Sequence, residues 1–242
     1  NRGYLNYQKI MRVIISELIL RQIWLSPSMR ARRLAMLLSS LEQTQSKSVE
    51  LEQYATSGDL AARWLTDILS FGDLFQGCTI IDLGTGNGVL GLGALALGAE
   101  RAILIDSQKE ACHTAMKNAE TMGFSNSVEV ICATLGVDNI DFNTSDLIIS
   151  NPPWGRQTPK ADRPFLDTIL REETNAHLMH SAEANHITSF FGINGWISER
   201  YGEAEFALPA TFEHHTRKRG KTRAAFWRLT PAKNIDIMPD RS

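Results

Sequence analysis

The run from Thr79 to Ala99, TIIDLGTGNGVLGLGALALGA, restricts the possible folds more than any other stretch. Thr79, Ile80, Ile81 and Leu83 form a short apolar run, the pattern of a strand covered on both faces. Asp82, Gly84, Gly86 and Gly88 then follow as D-x-G-x-G-x-G. Glycine lets the chain turn sharply and lets a ligand approach the backbone with no Cβ in the way. The spacing predicts a helix from about Val89 to Leu97. It begins at the turn, so its free N–H groups point at a ligand.

Two ligand classes use such a turn: the pyrophosphate of a dinucleotide and S-adenosylmethionine. Asp106, closing the next strand, could hold ribose hydroxyls in either case. Asp82 inside the turn favours S-adenosylmethionine, because a carboxylate suits a cationic sulfonium and repels a pyrophosphate. A glycine turn that only makes a tight strand–helix corner is the plainer alternative. A second segment argues against it. Asn151-Pro152-Pro153-Trp154 follows the apolar strand Asp146 to Ser150, and so stands at the strand edge where open α/β sheets bind ligands. Two prolines fix the backbone and remove two N–H donors. The nearby carbonyls and the Asn151 amide are then available to accept hydrogen bonds from a substrate. Trp154 offers a flat face for stacking.

Strand–helix alternation continues on both sides of these motifs. Strands are expected at Arg101 to Asp106, Val128 to Cys132 and Ala176 to His180. Helices are expected at Ser107 to Met122 (with Ala111, Ala115, Met116 and Ala119 inward), Phe165 to Glu173 and Ala182 to Gly192. The tail changes character: Trp196 to Leu208 and Arg223 to Leu229 read as two strands with no helix between them. The expected fold is α/β and Rossmann-like, a seven-stranded mostly parallel sheet with a C-terminal antiparallel strand pair. Such a closing pair is typical of class I methyltransferases and not of dehydrogenases.

Upstream, Met29 to Gln45 reads as a helix with Leu34, Leu37, Leu38 and Leu41 on one face, and Gly58 to Leu69 as another. Leu51 to Thr56 reads as a loop. Residues 1–28 form an N-terminal helical extension, too short and too charged to cross a membrane and without a signal-peptide cleavage site. Met29 is a candidate natural start, which would make the extension dispensable. The expected division is therefore 1–28, a methyltransferase domain over 29–231, and a tail over 232–242.

The net charge is −2, so any nucleic-acid contact must come from a local patch. One exists: His214, His215, Arg217, Lys218, Arg219, Lys221 and Arg223 crowd the loop between the last two strands. A phosphate contact there competes with a solvated hairpin tip. The cysteines, Cys78, Cys112 and Cys132, are scattered with no metal-ligand spacing, as in a cytoplasmic protein with reduced thiols.

Four segments, LEQYATSGDLAARWL, DLGTGNGVLGLGALALGA, IISNPPWG with ADRPFL, and FALPATFEHHTRKRG, together resemble the methyltransferase-like-five family of archaea and eukaryotes. That family methylates adenosine N6 in small-subunit ribosomal RNA. The resemblance spans roughly Met29 to Pro231. The glycine turn and NPPW occur in many amino-methyltransferases; EQYxT and LPA-x-F with its basic tail are more specific. It implies that Gln53 and Thr56 close over S-adenosylmethionine, that Gly84, Asn87 and Val89 line its methionine and ribose side, and that Asp106 binds the ribose hydroxyls. The family usually has an aspartate after the third strand; Ala133-Thr134 stands there, with Thr134 as the substitute adenine contact. It often has NPPF where this chain has NPPW. It also implies a small zinc-ribbon activator that adds a strand to the sheet edge at about Ser127 to Ala133. Two other readings share these motifs: methylation of a glutamine amide in a translation release factor, and a non-catalytic RNA-binding protein.

Overall fold

A computed structural model describes residues 27–44, 56–142, 145–155, 158–207 and 221–233. Among the described residues six helices and seven strands follow one another in the order α1 (Pro27–Ser39), α2 (Gly58–Phe71), β1 (Thr79–Leu83), α3 (Val89–Ala96), β2 (Arg101–Asp106), α4 (Lys109–Thr121), β3 (Val128–Cys132), β4 (Leu147–Ser150), α5 (Arg163–Glu172), β5 (Ala176–Ser181), α6 (His186–Gly192), β6 (Ile197–Ala207) and β7 (Lys221–Thr230). They form one seven-stranded sheet in the order β3-β2-β1-β4-β5-β7-β6. The strands from β3 to β5 are parallel. β7 runs antiparallel to β5, and β6 antiparallel to β7. The expected mostly parallel sheet with an antiparallel closing pair is therefore observed.

Side chains on the parallel strands alternate between two cores. Ile80, Ala102 and Leu104 face a core shared with α1 to α4, whereas Ile81, Leu83, Ile103 and Ile105 face one shared with α5 and α6. That is the period of two acting on strands covered from both sides. α3 is buried along its whole length. It fits because two of its residues are glycines: a Cβ at Gly91 would stand 2.2 Å from Leu104 Cδ2, and one at Gly93 would stand 2.4 Å from Leu65 Cδ1.

Several expectations change in detail. Leu37 is 40% exposed and Met116 is 37% exposed, so neither belongs to the inward face assigned to it. α1 stops at Ser39, short of the expected Gln45, where Ser40 and Leu41 turn back on Leu37 and Leu38; its inward stripe is Leu34 and Leu38, with Leu41 buried just beyond its end. α4 starts at Lys109, because Gln108 is held extended by its backbone bond to the Asp106 carboxylate. α6 starts at His186, since Ser181 to Asn185 are spent on a turn. The 1–28 extension lies outside the described residues except for the start of α1. Among the described residues no helix is long and apolar enough to cross a membrane.

A buried polar network fastens the antiparallel pair to α2. Arg228 on β7 donates to both oxygens of Asp73, at 2.6 and 2.8 Å. His177 on β5 bridges Asp73 (2.9 Å) and the Tyr201 hydroxyl (2.8 Å), which also accepts from Trp64 Nε1. Burial pushes the Asp73 carboxyl up, but the bonds from His177 and Arg228 outweigh it and hold the group below its usual range. None of the buried side-chain atoms of this network is left without a partner.

Candidate active site

The sheet order reverses between β1 and β4. Their C-terminal ends open a crevice of the kind in which α/β proteins bind ligands. Every part of the glycine turn is fixed there by the backbone. Gly84 and Thr85 N–H both donate to the Ile105 carbonyl at 2.9 Å. Gly86 takes φ 57° and Gly88 φ 86°, left-handed values that glycine adopts without strain. A Cβ at Gly86 would meet nothing within 4 Å, so this position borders open space and its backbone is what a ligand would touch.

Asp106 sits where expected. It is 8% exposed, and its Oδ2 accepts the Gly86 N–H at 2.9 Å while Oδ1 accepts that of Gln108 at 3.0 Å. Burial raises its carboxyl, with the backbone bonds pulling the other way. Each oxygen retains a lone pair for a ligand hydroxyl. Asp82 departs from expectation. It is fully buried beneath the turn, and Oδ2 accepts from Thr85 Oγ1 (2.7 Å) and the Gly91 N–H (2.9 Å). Burial pushes its carboxyl up to about 6. It does not line the cavity; it staples β1 to the turn and to the start of α3, so the sulfonium argument made for it does not hold in this geometry.

The cavity measures about 340 Å³, within the range of small-ligand sites. Gly84, Gly86, Asn87, Val89 and Asp106 all border it, as do Thr56 and Thr134. Ala133 and Leu135 flank Thr134 on the same wall. The Thr134 N–H donates to Asp138 Oδ2 at 2.7 Å, which curls the loop after β3. Phe165, from the ADRPFL segment, closes the side nearest Gly84, where a Cβ would stand 2.9 Å from its ring.

Asn151 and Pro153 also border the cavity. The Asn151 amide is held at both ends: Nδ2 donates to Thr56 Oγ1 at 3.0 Å, and Oδ1 accepts from Trp154 Nε1 at 3.1 Å. Pro152 is buried. Trp154 is only 6% exposed, stacks on His180 with ring centroids 6.0 Å apart, and does not reach the cavity wall. Its expected role as an open stacking platform is not what this geometry offers. Gln53, His215, Arg217, Lys218 and Arg219 lie outside the described residues; Lys221 begins β7.

Sequence reasoning missed the residue that ties the upstream segment to the site. Asn118 on α4 is 2% exposed; it accepts from the Glu42 N–H (2.9 Å) and donates to the Glu42 carbonyl (3.0 Å) and the Asn87 carbonyl (2.9 Å). Asn87 Nδ2 also donates to the Glu42 carbonyl, at 3.1 Å. These bonds bring Gln43 and Thr44 over the cavity. A lone polar residue on a helix face carries no signal of this. A second missed group is Asp162, His180 and His186, whose ligand atoms lie within 4.8 Å of one another behind Trp154.

The family described as conserved hypothetical protein 95 matches residues 64–210, which contain the glycine turn, Asp106 and the NPPW segment. The chain belongs to that family of methyltransferases. Relatives of the whole domain point the same way. An uncharacterized protein of Methanocaldococcus jannaschii is 35% identical over 78% of this chain and 89% of its own length. The rRNA N(6)-adenosine-methyltransferase METTL5 of Danio rerio is 29% identical over 84% of this chain and 100% of its own. A solved Pyrococcus horikoshii structure, provisionally assigned as an RNA methyltransferase, superposes with a TM-score of 0.75 at 31% identity, covering 84% of this chain and 98% of that one. The methyltransferase-like-five resemblance read from the sequence is thereby borne out, and with it the class I fold. The cofactor of this family is S-adenosylmethionine. The residues present fit it: a bare Gly86 backbone, a buried acceptor at Asp106 and a cavity of ligand size meet at the switch point.

Proposed function

We propose that this protein transfers a methyl group from S-adenosylmethionine to the exocyclic N6 of an adenosine in small-subunit ribosomal RNA. The observation that carries the reading is the Asn151 amide, clamped at both ends at the cavity edge beside the glycine turn. Gly84, Gly86, Asn87, Val89 and Asp106 would hold the cofactor, with Thr56 and Thr134 at its edges. When bound, it supplies an electrophilic methyl group. The exocyclic amine of adenine is a weak nucleophile because its lone pair is delocalised into the ring. Asn151 Oδ1 and the Pro152 carbonyl would each accept one N–H, turning that lone pair out of conjugation and stabilising the charge that develops on nitrogen. Placing the amine in line supplies much of the remaining rate. No charged base is needed, since a proton can leave to water after transfer. The adenosine must be unpaired or flipped to reach the pocket.

Two further parts belong to this reading. The basic loop, with His215, Arg217, Lys218, Arg219 and Lys221, would contact RNA phosphates and supply affinity without choosing the base. β3 forms one edge of the sheet, and a small zinc-ribbon activator would add a strand there, at about 127–133. The cytoplasm is the compartment that suits such a substrate. The decisive experiment maps N6-methyladenosine on small-subunit ribosomal RNA after incubation with the purified protein, with and without a co-expressed zinc-ribbon partner. Label appearing in a translation release factor, and none in RNA, would replace the substrate assignment.

A further inference from the structure

An asparagine that must accept a hydrogen bond has a problem of orientation. Its amide can flip, and the flipped form would present N–H donors to an amine that itself donates. Thr56 Oγ1 does not settle the choice, because a hydroxyl both donates and accepts. Trp154 does. An indole N–H can only donate, so the atom it faces at 3.1 Å must be Oδ1. A phenylalanine at 154 would fill similar space and stack similarly but would offer no N–H.

The indole is itself held from behind. Its ring lies 22° from the plane of His180, which is 1% exposed. His180 Nδ1 accepts the Ser181 N–H at 2.8 Å, so the ring proton must sit on Nε2. Nε2 lies 3.2 Å from Asp162 Oδ2, which also meets His186 Nε2 at 2.6 Å. By spacing, Asp162, His180 and His186 could be taken for a cation site. The tautomer excludes this: with Nδ1 occupied by a backbone donor, Nε2 keeps its proton and has no lone pair for a metal. Asp162 is bonded to His186, whereas His180 is held by the Ser181 N–H and by burial, its Nε2 making no hydrogen bond. Asp162 also precedes Pro164 and Phe165, so its bond to His186 ties a wall of the cavity to the start of α6.

We infer that Trp154 is a positioning residue whose indole N–H locks the Asn151 amide with its oxygen available to the target amine, and that His180, fixed by burial and by the Ser181 N–H, holds the indole in place. The inference rests on the methyltransferase reading of the site. It assigns a role to a tryptophan that the cavity itself does not use.

A double-mutant cycle on the full chain tests it, with small-subunit ribosomal RNA and S-adenosylmethionine. Trp154→Phe should lower kcat about three- to tenfold, the effect of one lost hydrogen bond. The dissociation constant for S-adenosylmethionine should stay within twofold and the melting temperature should barely move. In the Asn151→Asp background both side-chain oxygens accept, flipping is immaterial, and Trp154→Phe should cost nothing further. An equal loss in both backgrounds would make Trp154 a packing residue and overturn the inference, as would an unchanged kcat in the single variant. A second readout needs no turnover. The Trp154 indole proton, assigned in 15N-labelled protein, should exchange slowly and shift in Asn151→Ala; fast exchange or an unmoved resonance also overturns it. A locked indole in a protein that methylates no RNA would instead refute the substrate assignment while leaving the positioning contact intact.

Discussion

Replacing Asn118 by alanine should loosen the fold and the cofactor site together. Three hydrogen bonds disappear. The Asn87 carbonyl loses a donor in a buried position, a loss of about 1–3 kcal/mol, whereas the Glu42 groups are more exposed and can turn to water at about 0.5–1.5 kcal/mol. Together these come to about 1.5–4.5 kcal/mol. For a domain of this size, about 2–4 °C per kcal/mol gives a melting temperature lower by about 3–18 °C. Gln43 and Thr44, released from the cavity rim, would then have to be ordered on binding, at about 1–2 kcal/mol per residue. The surviving bond from Asn87 Nδ2 to the Glu42 carbonyl, at 3.1 Å, should preserve about half of that order. The dissociation constant for S-adenosylmethionine should therefore rise roughly five- to thirtyfold. Asn118→Asp should be worse than Asn118→Ala at neutral pH, because it sets a carboxylate against two carbonyl oxygens where donors stood. Thermal melts and titration calorimetry on the three proteins decide the matter. An unchanged melting temperature and affinity in Asn118→Ala would show that the upstream segment is not held to the site by this residue.

Asn151→Ala should abolish turnover while cofactor affinity stays within a few-fold, as calorimetry would show; equal loss of both would place Asn151 against the cofactor instead. Asp106→Ala should weaken S-adenosylmethionine binding by about 1–3 kcal/mol, since Gly86 and Gln108 lose their acceptor along with any ribose hydroxyl; an unaltered dissociation constant would remove Asp106 from the site. Asp82 gives a pH signature. Its carboxyl is raised to about 6 in the fold, above the unfolded value near 4, so the folded state takes up a proton first as pH falls. The stability of the wild type relative to Asp82→Asn should therefore increase between about pH 6 and pH 4, by roughly 1.4 kcal/mol per pH unit at most. Urea unfolding of both proteins at pH 7.5, 6 and 4.5 measures this, and a flat or opposite trend would mean that Asp82 is not buried as a carboxylate.

Positions governed by local geometry are legible in the sequence. The turn at Gly86 and Gly88 needs left-handed backbone, and only glycine supplies it cheaply. Ile80, Ile81 and Leu83, and likewise Leu147 to Ile149, put apolar side chains on both faces of their strands because both faces of a parallel sheet are covered. Asp106 was found because a strand end following a glycine turn must approach that turn. The expectations that changed are those in which a side chain chooses between a neighbour and a ligand. Asp82 had the right charge for a sulfonium, but its carboxylate turns to Thr85 and Gly91 beneath the turn. Trp154 had the right ring for stacking on a base, yet it packs against His180. Met116 and Leu37 followed the helical period and still came to the surface, because what lies opposite each helix face is set by other elements.

By itself, then, the sequence determined the alternation of elements, the strand–turn–helix at Thr79 to Ala96, and the presence of an acceptor-rich corner after β4. Each depends on backbone preferences and on residues close together in the chain. Only the tertiary structure decided that Asn118 would reach back across 76 positions to Glu42, that Thr56 would meet the Asn151 amide across 95, and that Asp162 and His180 would stand behind Trp154. Hydrogen-bond partners so far apart are selected by which strands become neighbours, and the order β1-β4-β5 places the ends of those strands side by side. Most polar side chains buried by that packing find a donor or an acceptor wherever the fold has put one, whereas Asp82 Oδ1 and His180 Nε2 find none.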